Sequence, residues 1–218
     1  MRALVPGEKV NLATRLAGCT AALAALLPLS GCELAIIGAA TAAYSIAEDR
    51  RTSGTQVEDE TIQVRAQSRV NDRFGSKAHV NVTAFNRMAL VTGEAPDEAT
   101  RSEIGKIVLG VPGVKSISNE IQLGEPTSRA SRINDEIITT KIKGRLIDHE
   151  KLSVAHVKVV TEGGVVFLLG LVTEQEAAQA VEIARTTGGV LKVVKLFEYC
   201  RPTDEVCRPR TAAQKPAA

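Results

Sequence analysis

The chain has no tryptophan, and aromatic residues make up only 3% of its 218 positions. Proteins that bind single-stranded nucleic acid stack the bases on aromatic side chains beside basic ones. The sequence contains no such pattern of aromatic and basic residues. We therefore expect no nucleic-acid partner.

Histidine and cysteine are also scarce, with three and four copies respectively. His149 and His156 lie seven residues apart with acidic neighbours, but a closed zinc site needs four good ligands. We expect them to be solvated loop residues. The sequence contains no Walker-type phosphate loop, no Gly-x-Ser-x-Gly motif and no cysteine close to a histidine in either repeat described below. It thus predicts no catalytic site, no metal site and no cofactor.

Apolar runs long enough to cross a membrane are absent from the sequence as well. A transmembrane helix needs about 20 apolar residues, and the candidate near the N-terminus is interrupted by Pro28 and Glu33. Three basic residues precede the apolar stretch from Ala17 to Leu29, which is the layout of a secretory signal. An uncleaved anchor is the alternative.

The sequence Leu29-Ser30-Gly31-Cys32 fits the lipobox of bacterial lipoproteins. We expect cleavage before Cys32, so that residues 1–31 are a signal peptide and Cys32 carries acyl chains such as palmitate. A second lipobox match ends at Cys19, but no apolar core long enough for export precedes it. Cleavage would leave 24 basic and 24 acidic residues, so the basic pI of the whole chain does not indicate a nucleic-acid partner.

Residues 32–58 are predicted to tether the folded part of the chain to the membrane. The Ala-rich apolar run from Leu34 to Ile46 either lies against lipid or forms a flexible tether with some helix propensity. The polar segment from Glu48 to Asp59 has the composition of a linker.

The remainder of the chain is a duplication. Asp59–Val70 aligns with Asp135–Leu146 at an offset of 76 positions, and both segments carry apolar residues at the four-residue spacing of a helix face. Val80–Gly93 aligns with Val157–Gly170, and each pattern predicts a β-hairpin. A second helix and a last strand then follow in each copy, at 97–108 and 113–121 and at 174–184 and 189–197. The fold class is therefore α+β, in two units of helix, strand, strand, helix, strand.

This αββαβ order, the Gly that closes the second strand, the acidic start of the second helix and the Gly-Val before the last strand resemble the BON domain. The resemblance covers about Asp49 to Phe197, and it implies a small three-stranded mixed sheet packed against two helices in each copy. Cores of this size are marginal alone, so we expect them to be packed against something. The predicted organisation is BON domain 1 at 59–123, a linker at 124–132, BON domain 2 at 133–198 and a flexible tail at 199–218.

The first helix of the second copy is the predicted binding site. At 100° per residue, Ile133 and Ile137 point away from the buried stripe centred on Ile142, whereas copy one has the polar Thr61 in place of Ile137. Apolar residues beside cations are typical of an interfacial membrane helix. We therefore predict lipid contact by Ile133, Ile137, Lys141, Lys143 and Arg145. The alternative is that the two isoleucines pack against the first module.

Other features of this helix weaken the prediction or leave it open. Asp135 and Glu136 are expected at the helix start, where the helix dipole favours them as caps but an anionic membrane would not. Copy one has no apolar wedge on the outer face of its first helix by this alignment, which favours a structural part for that copy. The lack of tryptophan removes an aromatic interfacial anchor and predicts weak binding.

Two BON copies behind a lipid-attachment signal resemble outer-membrane lipoproteins with that architecture. The resemblance implies a non-enzymatic, lipid-anchored protein of the outer membrane that faces the periplasm, and Glu33 in place of an inner-membrane retention Asp agrees with this. It further implies binding of anionic phospholipids, such as phosphatidylglycerol and cardiolipin, through the first helix of BON domain 2, and a part in envelope integrity and cell division. The alternative is a protein–protein adaptor for envelope assembly or cell-wall remodelling.

In an oxidising compartment, Cys200 and Cys207 are expected to form a disulfide. Two free thiols on a disordered chain end are the alternative. From Pro209 onward the composition predicts disorder.

Overall fold

The structure, a computed structural model, describes residues 49–149 and 152–207. These residues belong to one compact unit of the chain. The predicted signal peptide, Cys32, the apolar run from Leu34 to Ile46 and the tail beyond Cys207 lie outside the described residues.

The first module has the predicted order of helices and strands. β1 pairs antiparallel with β2, and β2 pairs in parallel with β3 and β4. The last predicted strand is therefore split in two, because β4 continues the pairing of β3 along β2. The elements are α1 (Ser53–Phe74), β1 (His79–Phe85), β2 (Met88–Ala95), α2 (Glu98–Leu109), β3 (Ser116–Asn119) and β4 (Gln122–Leu123).

The second module repeats this plan with an unbroken last strand. Its sheet has the order β5-β6-β7, with β5 antiparallel and β7 parallel to β6. The α+β class and the mixed sheets with two helices are thus confirmed. The elements are α3 (Arg129–Ile147), β5 (Val157–Glu162), β6 (Val165–Val172), α4 (Glu174–Arg185) and β7 (Lys192–Tyr199).

The first helix of each module begins earlier than predicted. The side chain of Thr52 accepts a hydrogen bond from the backbone N–H of Thr55, and that of Ser128 accepts one from the N–H of Ser131. These hydroxyls act as N-caps, satisfying backbone donors that have no partner inside the helix. Residues 53–58 and 129–132, predicted as parts of a tether and a linker, are therefore helical. These first turns of the two helices are largely polar and show no apolar periodicity, so the sequence did not indicate where the helices begin.

The predicted apolar stripes form the cores of the modules. Ile138, Ile142 and Leu146 are at most 1% exposed and pack against one face of the second sheet, together with α4. Ala66 and Val70 occupy the corresponding core of the first module. The four-residue spacing read from the sequence is thus the inward face of each first helix.

The two sheets pack back to back. In β6, Val166 and Leu168 face the helices of their own module, whereas Phe167 and Leu169 join a buried cluster with residues of β1 and β2. Each sheet is therefore covered by its helices on one face and by the other sheet on the opposite face. This places the helices on the two outer layers of a four-layer body.

Polar contacts add to this interface. The buried carboxylate of Glu162 accepts hydrogen bonds from Asn81 Nδ2 at 3.0 Å and from Thr92 Oγ1 at 3.3 Å, both in the first module. Lys158 Nζ donates to Gln63 Oε1 at 2.9 Å. The buried clusters that hold both modules draw only on residues between 66 and 197, so a chain that starts at Asp49 contains all of them.

The segment after β7 is ordered as far as the structure describes it. Cys200 and Cys207 form a disulfide, the pairing favoured by the sequence, with their Cα atoms 6.2 Å apart. Cys207 is 1% exposed. The prediction of a flexible tail from residue 199 is therefore wrong up to Cys207, because the disulfide and the burial of Cys207 hold this loop on the module.

Candidate functional site

A buried aspartate links α3 to the turn between β5 and β6. Asp135 is 4% exposed, and its carboxylate accepts hydrogen bonds from the backbone N–H groups of Gly163 and Gly164 at 2.9 Å each. Both glycines have positive φ, +56° and +75°, which glycine adopts without strain. The expectation that Asp135 lies at the helix start as a cap is wrong, since α3 begins at Arg129 and the carboxylate binds the turn inside the module.

The first module contains the same link. Asp59 is 2% exposed and accepts from the backbone N–H groups of Asn86 and Arg87 at 2.7 Å each. Because both copies share this contact, it belongs to the fold and not to the binding function.

The outer face of α3 carries exposed isoleucines. Ile133 is 59% and Ile137 46% exposed, so the alternative that they pack against the first module is wrong. The reason is the back-to-back sheets, which turn the outer face of every helix away from the other module. Ile147, 66% exposed, lies on the same face and was missed. At 100° per residue, Ile147 lies about 140° from Ile142. Extending the predicted helix by one residue would therefore have placed Ile147 on the outer face.

Two lysines flank this stripe of isoleucines. Lys141 and Lys143 are exposed, and neither forms an ion pair with another residue in the described part of the chain. Their positions on opposite sides of the apolar stripe place positive charge along both of its edges. We refer to the stripe of Ile133, Ile137 and Ile147 with these two lysines as the α3 surface.

Arg145 is exposed and also has a part inside its own module. Its guanidinium donates to the carbonyl oxygen of Ile183 at 2.6 Å and to Thr187 Oγ1 at 2.7 Å, at the C-terminal end of α4. In the first module, Arg69 donates in the same way to the carbonyl oxygen of Gly110 at 3.1 Å. The shared contact shows that Arg145 holds the two helices of its module together.

The first module has exposed apolar residues too. Val57 and Val64 of α1 are 68% and 60% exposed and lie seven residues apart on the outer face. The expectation that copy one lacks an apolar wedge is therefore wrong. The copies differ in charge on one side of the stripe, because Gln67 occupies the position of Lys143, whereas Arg65 corresponds to Lys141 and Glu60 to Glu136.

His156 is not the solvated loop residue that the sequence predicts. Its side chain is 13% exposed and Nδ1 lies 3.3 Å from Glu176 Oε1, while Arg50 Nη1 lies 2.7 Å from Glu176 Oε2. Burial acts to raise the pKa of Glu176, but the hydrogen bonds from His156 and Arg50 outweigh it and hold the pKa far below its usual range. Within residues 49–149 and 152–207, no group of three or more histidine, cysteine or acidic side chains is placed to hold a metal ion.

A sequence model of the BON domain matches residues 58–125 and 134–201. The chain belongs to the BON-domain family. Both modules described above are therefore BON domains. In the part of the chain that the structure describes, no helix is long and apolar enough to cross a membrane.

Similar proteins come from several bacteria. The outer membrane lipoprotein DolP of Haemophilus influenzae is 35% identical over 81% of this chain and 93% of its own length. The 21 kDa hemolysin of Actinobacillus pleuropneumoniae is 36% identical over 69% of this chain and 79% of its own. The osmotically-inducible protein Y of Escherichia coli is 27% identical over 64% of this chain and 72% of its own.

Proposed function

We propose that this protein is a non-enzymatic lipoprotein of the outer membrane that faces the periplasm and binds anionic phospholipid through the α3 surface of its second BON domain. The lipobox at Cys32 and the similarity to an outer membrane lipoprotein over most of both chains support the localisation. Support of envelope integrity, including at the division site, is the cellular part that we infer.

The observation that carries the proposal is the exposure of three isoleucines on one face of α3. Apolar side chains on the outer face of a helix gain free energy when they enter the headgroup region, in proportion to the apolar area removed from water. Each lysine near an anionic membrane adds about 1 kcal/mol. The stripe and its lysines therefore match a surface of phosphatidylglycerol or cardiolipin.

Binding by this surface alone is expected to be weak. The chain has no tryptophan, so isoleucines replace the aromatic residues that anchor many interfacial helices. Acyl chains on Cys32 would hold the protein at the membrane and raise the local concentration of lipid at α3, so that a weak contact is sufficient.

Co-sedimentation with vesicles tests this function. A chain that starts at Asp49, without acyl chains, should sediment with phosphatidylglycerol–cardiolipin vesicles at low salt, and less with zwitterionic vesicles or at high salt, because the lysines act through screened charge. Ile137→Glu should abolish sedimentation without unfolding the protein, since Ile137 is 46% exposed. Ile138→Glu should unfold the second domain, because Ile138 is 1% exposed.

A matched control lies on the first BON domain. Val64 is 60% exposed on the outer face of α1, and Val64→Glu should leave vesicle binding unchanged. Failure of the unmodified chain to sediment with anionic vesicles at low salt would rule out the lipid function.

The alternative function is a protein–protein adaptor for envelope assembly or cell-wall remodelling, with lipid only as the anchor. The exposed Val57 and Val64 favour a helix face as its docking site. The edge of β1 is less suited to strand addition, since the N–H groups of Val82 and Ala84 already donate to glutamine side chains of α1. Unimpaired lipid binding together with loss of envelope integrity in a Val64→Glu strain would support this alternative.

A further inference from the structure

Leu191 is the most exposed large apolar side chain in the described part of the chain, at 81%. It lies in the loop between α4 and β7, where its backbone N–H donates to the carbonyl oxygen of Gly164 at 2.9 Å. The loop is therefore fixed to the turn between β5 and β6, and the leucine side chain lies over Gly164 with most of its surface exposed.

This loop lies at the same end of the domain as the start of α3. Asp135 of α3 binds the turn that contains Gly164, and Ile138 of α3 packs against Gly189, where an added Cβ would meet Ile138 Cδ1 at 3.0 Å. Contacts on both sides thus join the Leu191 loop to the half of α3 that carries the exposed Ile133 and Ile137.

The first BON domain shows that the fold does not need a leucine here. Lys115 occupies the corresponding position, after a Gly-Val pair in both copies, and its backbone N–H donates to the carbonyl oxygen of Arg87 at 2.9 Å. The backbone contact is the same and the side chain differs. Leu191 is therefore a departure of the second copy from the shared plan.

Charge around the loop matches an anionic surface. Lys192 is exposed directly after Leu191, and Lys141 is exposed on α3. Exposed Glu136 is an opposing charge on α3, whereas Asp135 does not face the lipid because it is buried and hydrogen-bonded inside the domain. An apolar tip with a lysine beside it suits insertion between anionic headgroups.

We propose that Leu191 is a second insertion point of the membrane-binding surface, so that the second BON domain contacts an anionic bilayer with the tip of the α4–β7 loop as well as with α3. The inference rests on the proposed function. Two separated contacts would fix the orientation of the domain on the membrane. A domain held by a single helix face could rotate about the axis of that helix.

Single tryptophans test this inference, because the natural chain has none. Leu191→Trp and Ile137→Trp are compared with Leu109→Trp, a control on the first BON domain where the leucine is 53% exposed. Each chain starts at Asp49 and is mixed with phosphatidylglycerol vesicles that contain lipid brominated in its acyl chains. Tryptophan emission at positions 191 and 137 should shift to shorter wavelength and be quenched, and emission at position 109 should not change.

The outcomes separate this inference from the function on which it rests. Quenching at position 137 without quenching at 191 overturns the second insertion point and leaves the lipid function in place. Quenching at neither position overturns both. Quenching at all three positions indicates adsorption without orientation and also overturns the inference.

Leu191→Lys provides a second readout that does not alter the fold, since Lys115 occupies the same position in the first copy. We expect binding to anionic vesicles to weaken roughly fivefold to tenfold, because a partly inserted apolar side chain is lost while positive charge is gained. Unchanged or stronger binding, with unchanged circular dichroism, would overturn the proposal.

Discussion

At the scale of single residues, the two buried aspartates depart most from what a helical pattern suggests. Asp59 and Asp135 lie inside long helices, yet they are 2% and 4% exposed. A buried charge is tolerated only when hydrogen bonds compensate for lost hydration. Two backbone N–H donors in each hairpin turn supply them.

Asp135→Ala should lower the free energy of unfolding by about 2–3 kcal/mol, because it leaves two N–H groups of the β5–β6 turn without their charged acceptor. Urea denaturation measures the change. Glu136→Ala, at the exposed neighbouring position, is the control and should change stability by less than about 0.5 kcal/mol. Equal effects of the two substitutions would show that the aspartate–turn contact does not stabilise the domain.

At the scale of secondary structure, periodicity predicted the inward face of each first helix, and hairpin patterns predicted both strand pairs. The last strand of copy one was predicted as continuous and is split at residues 120–121. The back-to-back packing was not predicted, although β6 has the signal for it. Its sequence VVFLLGLV is apolar on both faces, and such strands are covered on both sides.

The candidate site was predicted in part, for reasons that differ by residue. The exposure of Ile133 and Ile137 follows from helical angles alone. Each sheet is covered on its other face by the second sheet, so the outer faces of the helices remain exposed. Arg145 does not follow, since its partners Ile183 and Thr187 lie about 40 residues away along the chain. Leu191 is in a loop, where no periodic pattern separates an exposed leucine from a buried one.

The start of α4 contains an ion pair that makes stability depend on pH. The pKa of Glu176 is depressed by His156 and Arg50 in the folded protein, so this carboxylate stabilises the fold at pH values above its unfolded pKa of about 4.3. The contribution is lost as the pH falls below that value toward the folded pKa.

Glu176→Gln should therefore be less stable than the unmodified chain at pH 7, and the difference should shrink at pH 3. Urea denaturation at the two pH values measures this. Glu174→Gln, at an exposed position in the same helical turn, should show a much smaller change with pH. If Glu176→Gln lowers the free energy of unfolding by the same amount at both pH values, the pH dependence does not come from the Glu176 carboxylate.

At the scale of the whole molecule, the chain enters the folded body at one end of the second BON domain, and Leu191 lies toward the other end with the half of α3 that carries Ile133 and Ile137. Arg50 donates to the carbonyl oxygen of Leu171 near the end of β6, whereas Leu191 adjoins the turn before β6. A strand of eight residues spans about 26 Å. The 17 residues from Cys32 to Asp49 reach at most about 60 Å, so the proposed anchor at Cys32 would permit α3 to contact the same membrane.

The four-layer arrangement places α1 and α3 on opposite outer layers. The two helix faces are therefore not expected to lie on one flat membrane together. Among isoleucines, this predicts that lipid contacts Ile133 and Ile137 of the second domain, while Ile62, fully buried on the inward face of α1, stays remote from it.

The α3 surface is the part of this protein that we propose to contact anionic lipid. The most direct measurement is NMR of isoleucine δ1-methyl groups in a chain that starts at Asp49, mixed with phosphatidylglycerol nanodiscs that contain a paramagnetic lipid. We predict that the signals of Ile133 and Ile137 broaden selectively, while those of Ile62 and the inward-facing Ile138 remain sharp. Sharp signals from Ile133 and Ile137, or selective broadening in the first BON domain, would contradict the claim.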